Sequence, residues 1–168
     1  MTALHTLATR IDTFTDVFGR ITAWSTFALV LVMAGNVLLR YLFSTGSVWS
    51  QELEWHLMAP ICLFGMSYAL RHGDHVRVDV LYGGFRDRTK HFVNFIAAVA
   101  AILISIAIIY LSWFYVWQSW AIGEESANPG GIPYRYVLKA LIPLGFALFA
   151  LQSLAEAARA LVAFRSAR

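Results

Sequence analysis

Charge is scarce in this 168-residue chain: Lys and Arg number 13, Asp and Glu 10, together 14% of residues. A globular domain carries about 25%. The AVILMFWYC set makes up 59%. A water-soluble chain of this size still exposes roughly a third of its unfolded surface, too much for that apolar load to be hidden. An ordinary soluble enzyme domain is therefore excluded, and so is a disordered chain. Cys62 is the only cysteine, which excludes a disulfide scaffold. Segments of ~10 residues with alternating polarity are missing, which excludes a membrane β-barrel. The net charge is only +3, and on a membrane protein such an excess collects on one face, so nucleic acid is not implied as a partner. No internal repeat, low-complexity tract or linker interrupts the chain, and one membrane domain over 1–168 is expected.

What is present is four apolar segments: Ile21–Phe43, Glu54–Leu70, Phe92–Trp117 and Val137–Phe164. A helix needs about 20 residues to cross a ~30 Å hydrocarbon core. The second segment is short but can begin at Ser50, so the spans are expected at 21–43, 50–70, 92–117 and 137–164. The fold class expected is an all-α integral membrane protein with four transmembrane helices. The first apolar run starts late and has no small-residue cleavage site after it, so no cleaved signal peptide is expected. Ahead of it, Leu4, Leu7, Ile11, Phe14 and Phe18 are spaced three and four apart. That is one apolar stripe, an amphipathic N-terminal segment suited to the membrane interface or a partner.

Basic residues set orientation. Arg10 and Arg20 precede span one. Arg71, Arg77, Arg86, Arg88 and Lys90 lie between spans two and three, and Arg159, Arg165 and Arg168 end the chain. The other side carries only Arg135 and Lys139, with Arg40 near the end of span one. Both termini and the Arg71–Lys90 loop are expected in the cytoplasm, and Trp49, Trp55, Trp113, Trp117 and Trp120 at the opposite interface.

Polar groups within spans are few. Asn36 and Arg40 share a face of span one, and Arg40 can snorkel or pair with Glu52 or Glu54. Glu156 is placed to pair with Arg159 three residues on. Arg71-His72-Gly73-Asp74-His75 holds two imidazoles and a carboxylate, short of the three or four fixed ligands of a metal site, and reads as a turn. His56 and His91 fall at opposite ends of their spans and cannot clamp one haem. Neither a metal nor a cofactor is expected, nor a catalytic residue. A chain of mid-membrane carboxylates is lacking, and so are paired broken helices, which argues against a carrier working alone.

Arg40-Tyr41, Trp49, Glu52-Leu53, Gly65, Ala69-Leu70-Arg71, Gly73 and His75-Val76-Arg77-Val78-Asp79 resemble the signature of the small permease subunit of TRAP (tripartite ATP-independent periplasmic) transporters. Gly123-Glu124, Ser126-Ala127-Asn128-Pro129-Gly130-Gly131, Pro133-Tyr134-Arg135 and Lys139 are similar to the family's second half. Asp74 fills the family's acidic place before the histidine, while Gln51 departs from a second acid. The resemblance covers about residues 20–160. It implies a non-enzymatic subunit in the bacterial cytoplasmic (inner) membrane, within an ion-gradient-driven symporter, with sodium the expected ion, for organic acids. It also implies two partners besides lipid: a large permease subunit, which this chain would scaffold, and a periplasmic binding protein. Arg40, Glu52, Arg71, His75, Arg77 and Asp79 are the expected structural or partner-facing residues. Glu124, Glu125 and Asn128 are expected to help dock the binding protein. In the inner loop, Asp74 and Arg77 form the expected local pair, leaving Asp79 for Arg71, a helix N-terminus or the large subunit. The alternative reading is a four-helix membrane anchor of a respiratory or redox complex.

Overall fold

The computed structural model describes residues 2–74 and 82–166, with side chains from residue 6 onward. His75, Arg77 and Asp79, and with them the expected Asp74–Arg77 pair, lie outside the described residues. Among the described residues four long helices stand out: α1 Thr2–Phe43, α2 Val48–His72, α3 Asp87–Ala121 and α4 Arg135–Ser166. All extend past the expected spans, because polar residues at the ends continue the backbone ladder.

Three of them are long and apolar enough to cross a membrane: α1 from Thr6, α3 and α4. The 25-residue α2 reaches about 38 Å at ~1.5 Å per residue. Its ends are polar, with Gln51, Glu52, Glu54 and His56 in the first turns and Arg71 and His72 in the last. Pro60 and Pro143 sit inside α2 and α4, and both helices continue through them.

α1 runs unbroken through residue 20, so the N-terminal segment is coaxial with the first apolar run. Its buried side takes Ile11 from the expected stripe and small residues beside it. Ala8, Ile11 and Thr15 are buried, while Leu7 and Phe14 are about half exposed. In a bilayer, lipid tails are as apolar as leucine, so large apolar side chains gain little by turning inward and small residues mediate helix contact. The same inversion governs the whole bundle. The largest fully buried side chains are Gln152, Thr15, Ser67, Ser105, Ser119 and Ser153. Trp24, Leu42, Leu111 and Trp113 are among many that face outward.

α4 is the hub. It packs against α1, α2 and α3, α1 also packs on α2, and α3 rests chiefly on α4. The α3 seam repeats every seven residues, as Ala98, Ser105, Ser112 and Ser119. That heptad spacing keeps one row of small side chains on the neighbouring helix. Ser105 and Ser112 return their hydroxyls to the carbonyls of Ala101 and Ile108, at 2.7 and 2.6 Å, while the buried Ser119 hydroxyl makes no such bond. The buried residues of α4 include Gly145, Leu148, Gln152 and Ala155, with Gln152 and Ala155 against α1. Gly145 lies so close to α2 that a Cβ there would stand 2.7 Å from Leu63 Cβ.

α2 ends at Gly73, whose φ of 76° is left-handed. The Asp74 N–H reaches the Ala69 carbonyl (3.0 Å) and the Gly73 N–H that of Leu70 (3.3 Å). This is a Schellman cap, and it is what the Arg71–Asp74 stretch builds.

Candidate functional site: two polar clusters at opposite ends of the bundle

The first cluster surrounds Glu52, in the first turns of α2 and 3% exposed. Its carboxylate accepts from the Ile132 N–H at 2.8 Å, from Asn128 Nδ2 at 3.2 Å and from the Ser126 hydroxyl. Arg135 Nη2 donates to it at 3.2 Å and is its ion-pair partner. The connection between α3 and α4 is thus wrapped around one buried charge from α2. Two local features make the wrap possible. Asn128-Pro129-Gly130-Gly131 forms the expected turn, closed by the Gly131 N–H on the Asn128 carbonyl at 3.0 Å, with Gly130 at φ 78°. Proline second and a left-handed glycine third are the signature of type II. Gly131 then passes so near that a Cβ would meet Ser126 Cβ at 2.5 Å and Glu52 Oε2 at 2.7 Å.

Beside it, Lys139 pairs with Glu124 and lies 3.9 Å from the centre of the Tyr115 ring. The hydrogen bond from Lys139 holds the Glu124 carboxyl below the usual glutamate range. Glu125 is exposed.

The expected pairing of Arg40 with Glu52 or Glu54 does not form. Glu52 is taken by Arg135, and Glu54 accepts from Asn36 Nδ2 at 2.6 Å. Asn36 comes level with the start of α2, while Arg40 lies a turn further along α1, exposed and without a partner among the described residues. Three expected docking or interface residues, Glu52, Glu124 and Asn128, spend their polar groups inside this chain.

The second cluster centres on Asp12 of α1. Arg159 donates to it through Nη1 (2.9 Å) and Nη2 (3.3 Å), and Gln152 Nε2 through a third bond at 3.1 Å. The Gln152 carbonyl accepts from Thr15 Oγ1 at 2.8 Å, both side chains fully buried. Arg159 also binds Glu156 at 2.5 Å, the expected i,i+3 pair. Arg71 crosses from α2 to Asp16 and to the Asp12 carbonyl, and its Nε stands 3.9 Å from Asp12 Oδ1. Three helices are tied together here.

Asp12 and Gln152 were not among the expected site residues. Asp12, Thr15, Gly19, Thr22 and Thr26 recur at helical spacing beside the apolar stripe, and that polar and small row was the available signal. His56 Nδ1 lies 2.7 Å from the Glu52 carbonyl, a local backbone contact.

The clusters are evenly separated. From Glu54 to Arg71 on α2, and from Arg135 to Gln152 on α4, the distance is seventeen residues, about 26 Å along a helix. From Asp16 to Asn36 on α1 it is twenty, about 30 Å. Between them lies a bundle with small side chains inside and large apolar ones outside, the length of a hydrocarbon core. Trp49, Trp55, Trp113, Trp117 and Trp120 are all exposed, on the α2 and α3 ends that meet the Glu52 cluster.

These features define an α-helical membrane protein. Residues 29–163 match the family model described as tripartite ATP-independent periplasmic transporters, DctQ component, and the chain belongs to that family. It is also 25% identical over 161 residues to the C4-dicarboxylate TRAP transporter small permease protein DctQ of Vibrio cholerae serotype O1 (strain ATCC 39315 / El Tor Inaba N16961), covering 83% of this chain and 69% of the relative. It is a small subunit of a TRAP transporter, a transport component and not an enzyme. The redox-anchor alternative is thereby set aside.

Proposed function

We propose that this chain crosses the bacterial inner membrane four times, with both termini in the cytoplasm, and supports the large permease subunit of a sodium-driven importer of organic acids. The observation that carries the reading is the membership of the small TRAP permease family over residues 29–163. The two internally satisfied clusters support the structural half of it. Glu52 binds Arg135 and Asp12 binds Arg159 across helices, Glu156 supports Arg159 from within α4, and together they fix the bundle's shape. Groups so engaged suit a scaffold better than a carrier site that must release its solute. The spacing of the clusters favours α2 as a fourth span. The relative's name, which specifies C4-dicarboxylates, supports organic acids as the solute class.

In this reading, Arg40, His75, Arg77 and Asp79 face the large subunit, Arg40 being exposed at the outer end. Arg71 acts from within, by tying α2 to α1 at the inner end. The 123–134 connection presents Glu125 to the binding protein, while Glu52, Glu124 and Asn128 hold its shape. The test is reconstitution. With the large subunit, the binding protein and an inward sodium gradient, vesicles are expected to accumulate a labelled C4-dicarboxylate, and to fail when this chain is left out. Uptake by this chain alone, or full uptake without it, would overturn the reading.

A further inference from the structure

Tyr134 closes the connection between α3 and α4, and its backbone stands at φ 62°. Left-handed backbone is open to glycine, while a bulky L residue there is an outlier. Its neighbours hold it in place. Pro133 precedes it, the Arg135 N–H donates to the Glu124 carbonyl at 3.1 Å, and the Tyr134 carbonyl accepts from the Val137 N–H at 3.0 Å. The wrap around Glu52 fixes the rest of the connection. Glycine would serve this backbone, as it does at Gly130. A tyrosine stands there instead, 63% exposed, and its ring partner among the described residues is Tyr136, 6.0 Å between centres. So little packing inside the chain offsets the strain that the use of the ring lies outside it.

The same backbone bond brings a second group alongside. It lays the peptide that follows Tyr134 against the peptide that precedes Glu125. Glu125 is exposed and forms no ion pair or hydrogen bond among the described residues. Glu52, Glu54 and Glu124 at this end are engaged by Arg135, Asn36 and Lys139.

We infer that Tyr134 and Glu125 together receive one basic side chain of the periplasmic binding protein, with the ring against the cation and the carboxylate as its counter-charge. This rests on the docking role proposed above for Glu125, and adds the aromatic anchor and the chemistry of the partner. A ring face attracts a guanidinium or ammonium group, and a free carboxylate pairs with it. Three features favour a soluble protein over lipid. The bare carboxylate beside the ring repels lipid phosphates. The patch continues a loop whose Asn128, Pro129 and Gly130 are exposed. An interfacial anchor needs no strained backbone, since Trp113, Trp117 and Trp120 are exposed from the regular helix α3. A loop pinned by Glu52 also loses little freedom on binding, and tyrosine is a common anchor of protein interfaces.

The test is surface plasmon resonance of the binding protein on nanodiscs that hold the small and large subunits together. Tyr134→Gly is expected to weaken binding about fivefold or more. The unfolding midpoint of the complex should hold or rise, because glycine takes the left-handed backbone freely. Tyr134→Phe keeps the ring and should bind as the parent does. Glu125→Gln should weaken binding most at low salt, through slower association. The two groups share one partner, so the double variant should lose less than the product of the single losses. Parent-like affinity in Tyr134→Gly would overturn the inference and leave the docking reading intact, whereas no binding by the parent complex would overturn both. A lower midpoint in Tyr134→Gly, or loss of the large subunit from the nanodiscs, would assign the ring to lipid or to that subunit and equally overturn the inference. So would single losses that multiply in full.

Discussion

Replacing Gly145 with Ala adds one methyl group where α4 leans on α2. The new Cβ would stand 2.7 Å from Leu63 Cβ, 3.0 Å from the Leu63 carbonyl oxygen and 3.2 Å from its carbonyl carbon. Non-bonded carbons prefer about 3.5–4.0 Å. Two of the three neighbours are backbone atoms, so no rotamer change relieves the clash and the helices must part. Overpacking of this kind costs about 1–3 kcal/mol. Against it stands the better helix propensity of Ala, about 0.8–1.0 kcal/mol. The net expectation is a loss of about 0–2 kcal/mol. Gly35 supplies the control, because a Cβ there meets nothing within 4 Å. Gly35→Ala keeps only the propensity gain, so the two variants should differ by about 1–3 kcal/mol in opposite directions around the parent. The assay is equilibrium unfolding in mixed micelles on titration with a denaturing detergent, followed by far-ultraviolet circular dichroism. Equal stabilisation by both substitutions would refute the close approach of α4 to α2.

Glu52→Gln leaves Arg135 beside a neutral amide and loosens the 123–134 connection. A cysteine placed at Ala127, with Cys62 first changed to Ala, should then react several-fold faster with a thiol reagent. Asp12→Asn deprives Arg159 and Arg71 of a shared counter-charge. Removing one member of a buried pair costs about 3–5 kcal/mol, and the part-exposed guanidinium groups reduce this to about 1–3, measurable in the same unfolding assay. Glu124 titrates below the usual glutamate range because Lys139 holds its ionised form. Its contribution is therefore full above the unfolded-state value of about 4.3 and is lost as pH falls through the lower folded-state value. The stability gap between the parent and Glu124→Gln should stay constant above about pH 5 and close below that range; a gap that persisted in acid would contradict the Lys139 pairing. For topology, a cysteine at Gly46 should label from outside intact cells and one at Gly84 should not, and the reverse pattern would refute the orientation.

The local features were legible in the sequence and the long-range ones were not. Three spans could be read from continuous apolar runs, because a backbone in lipid must satisfy itself within the segment. The turn at Asn128–Gly131 was legible because Pro followed by Gly dictates its dihedral angles. The Glu156–Arg159 pair followed from i,i+3 spacing. Arg135 and Glu52 are 83 residues apart, and Asp12 and Arg159 are 147 apart. Helical periodicity states which face a residue occupies, not which helix that face meets, so Arg40 was the nearer but wrong partner for Glu52. The N-terminal stripe was legible as a face for the interface or a partner, but not which of its residues the bundle would cover: Ile11 is buried, Leu7 and Phe14 are about half exposed. The rule that apolar residues turn inward belongs to water, and in lipid Ala8, Thr15 and Gly19 take the inside.

The even spacing of the two polar clusters makes the bundle a gauge of bilayer thickness. A single helix meets a thicker membrane by standing upright and a thinner one by leaning. Here α1, α2 and α4 are cross-linked at both ends by Asn36–Glu54 and Glu52–Arg135 at one, and Asp12–Arg159 and Arg71–Asp16 at the other. None of the three can lean on its own without breaking a tie to its neighbours. In the proposed four-span arrangement the three tilt as one body or the lipid adjusts, at fractions of a kcal/mol per ångström. α3, held chiefly through α4, is the helix left with freedom to respond. Growth conditions that alter acyl-chain length should therefore be felt first along the α3–α4 seam.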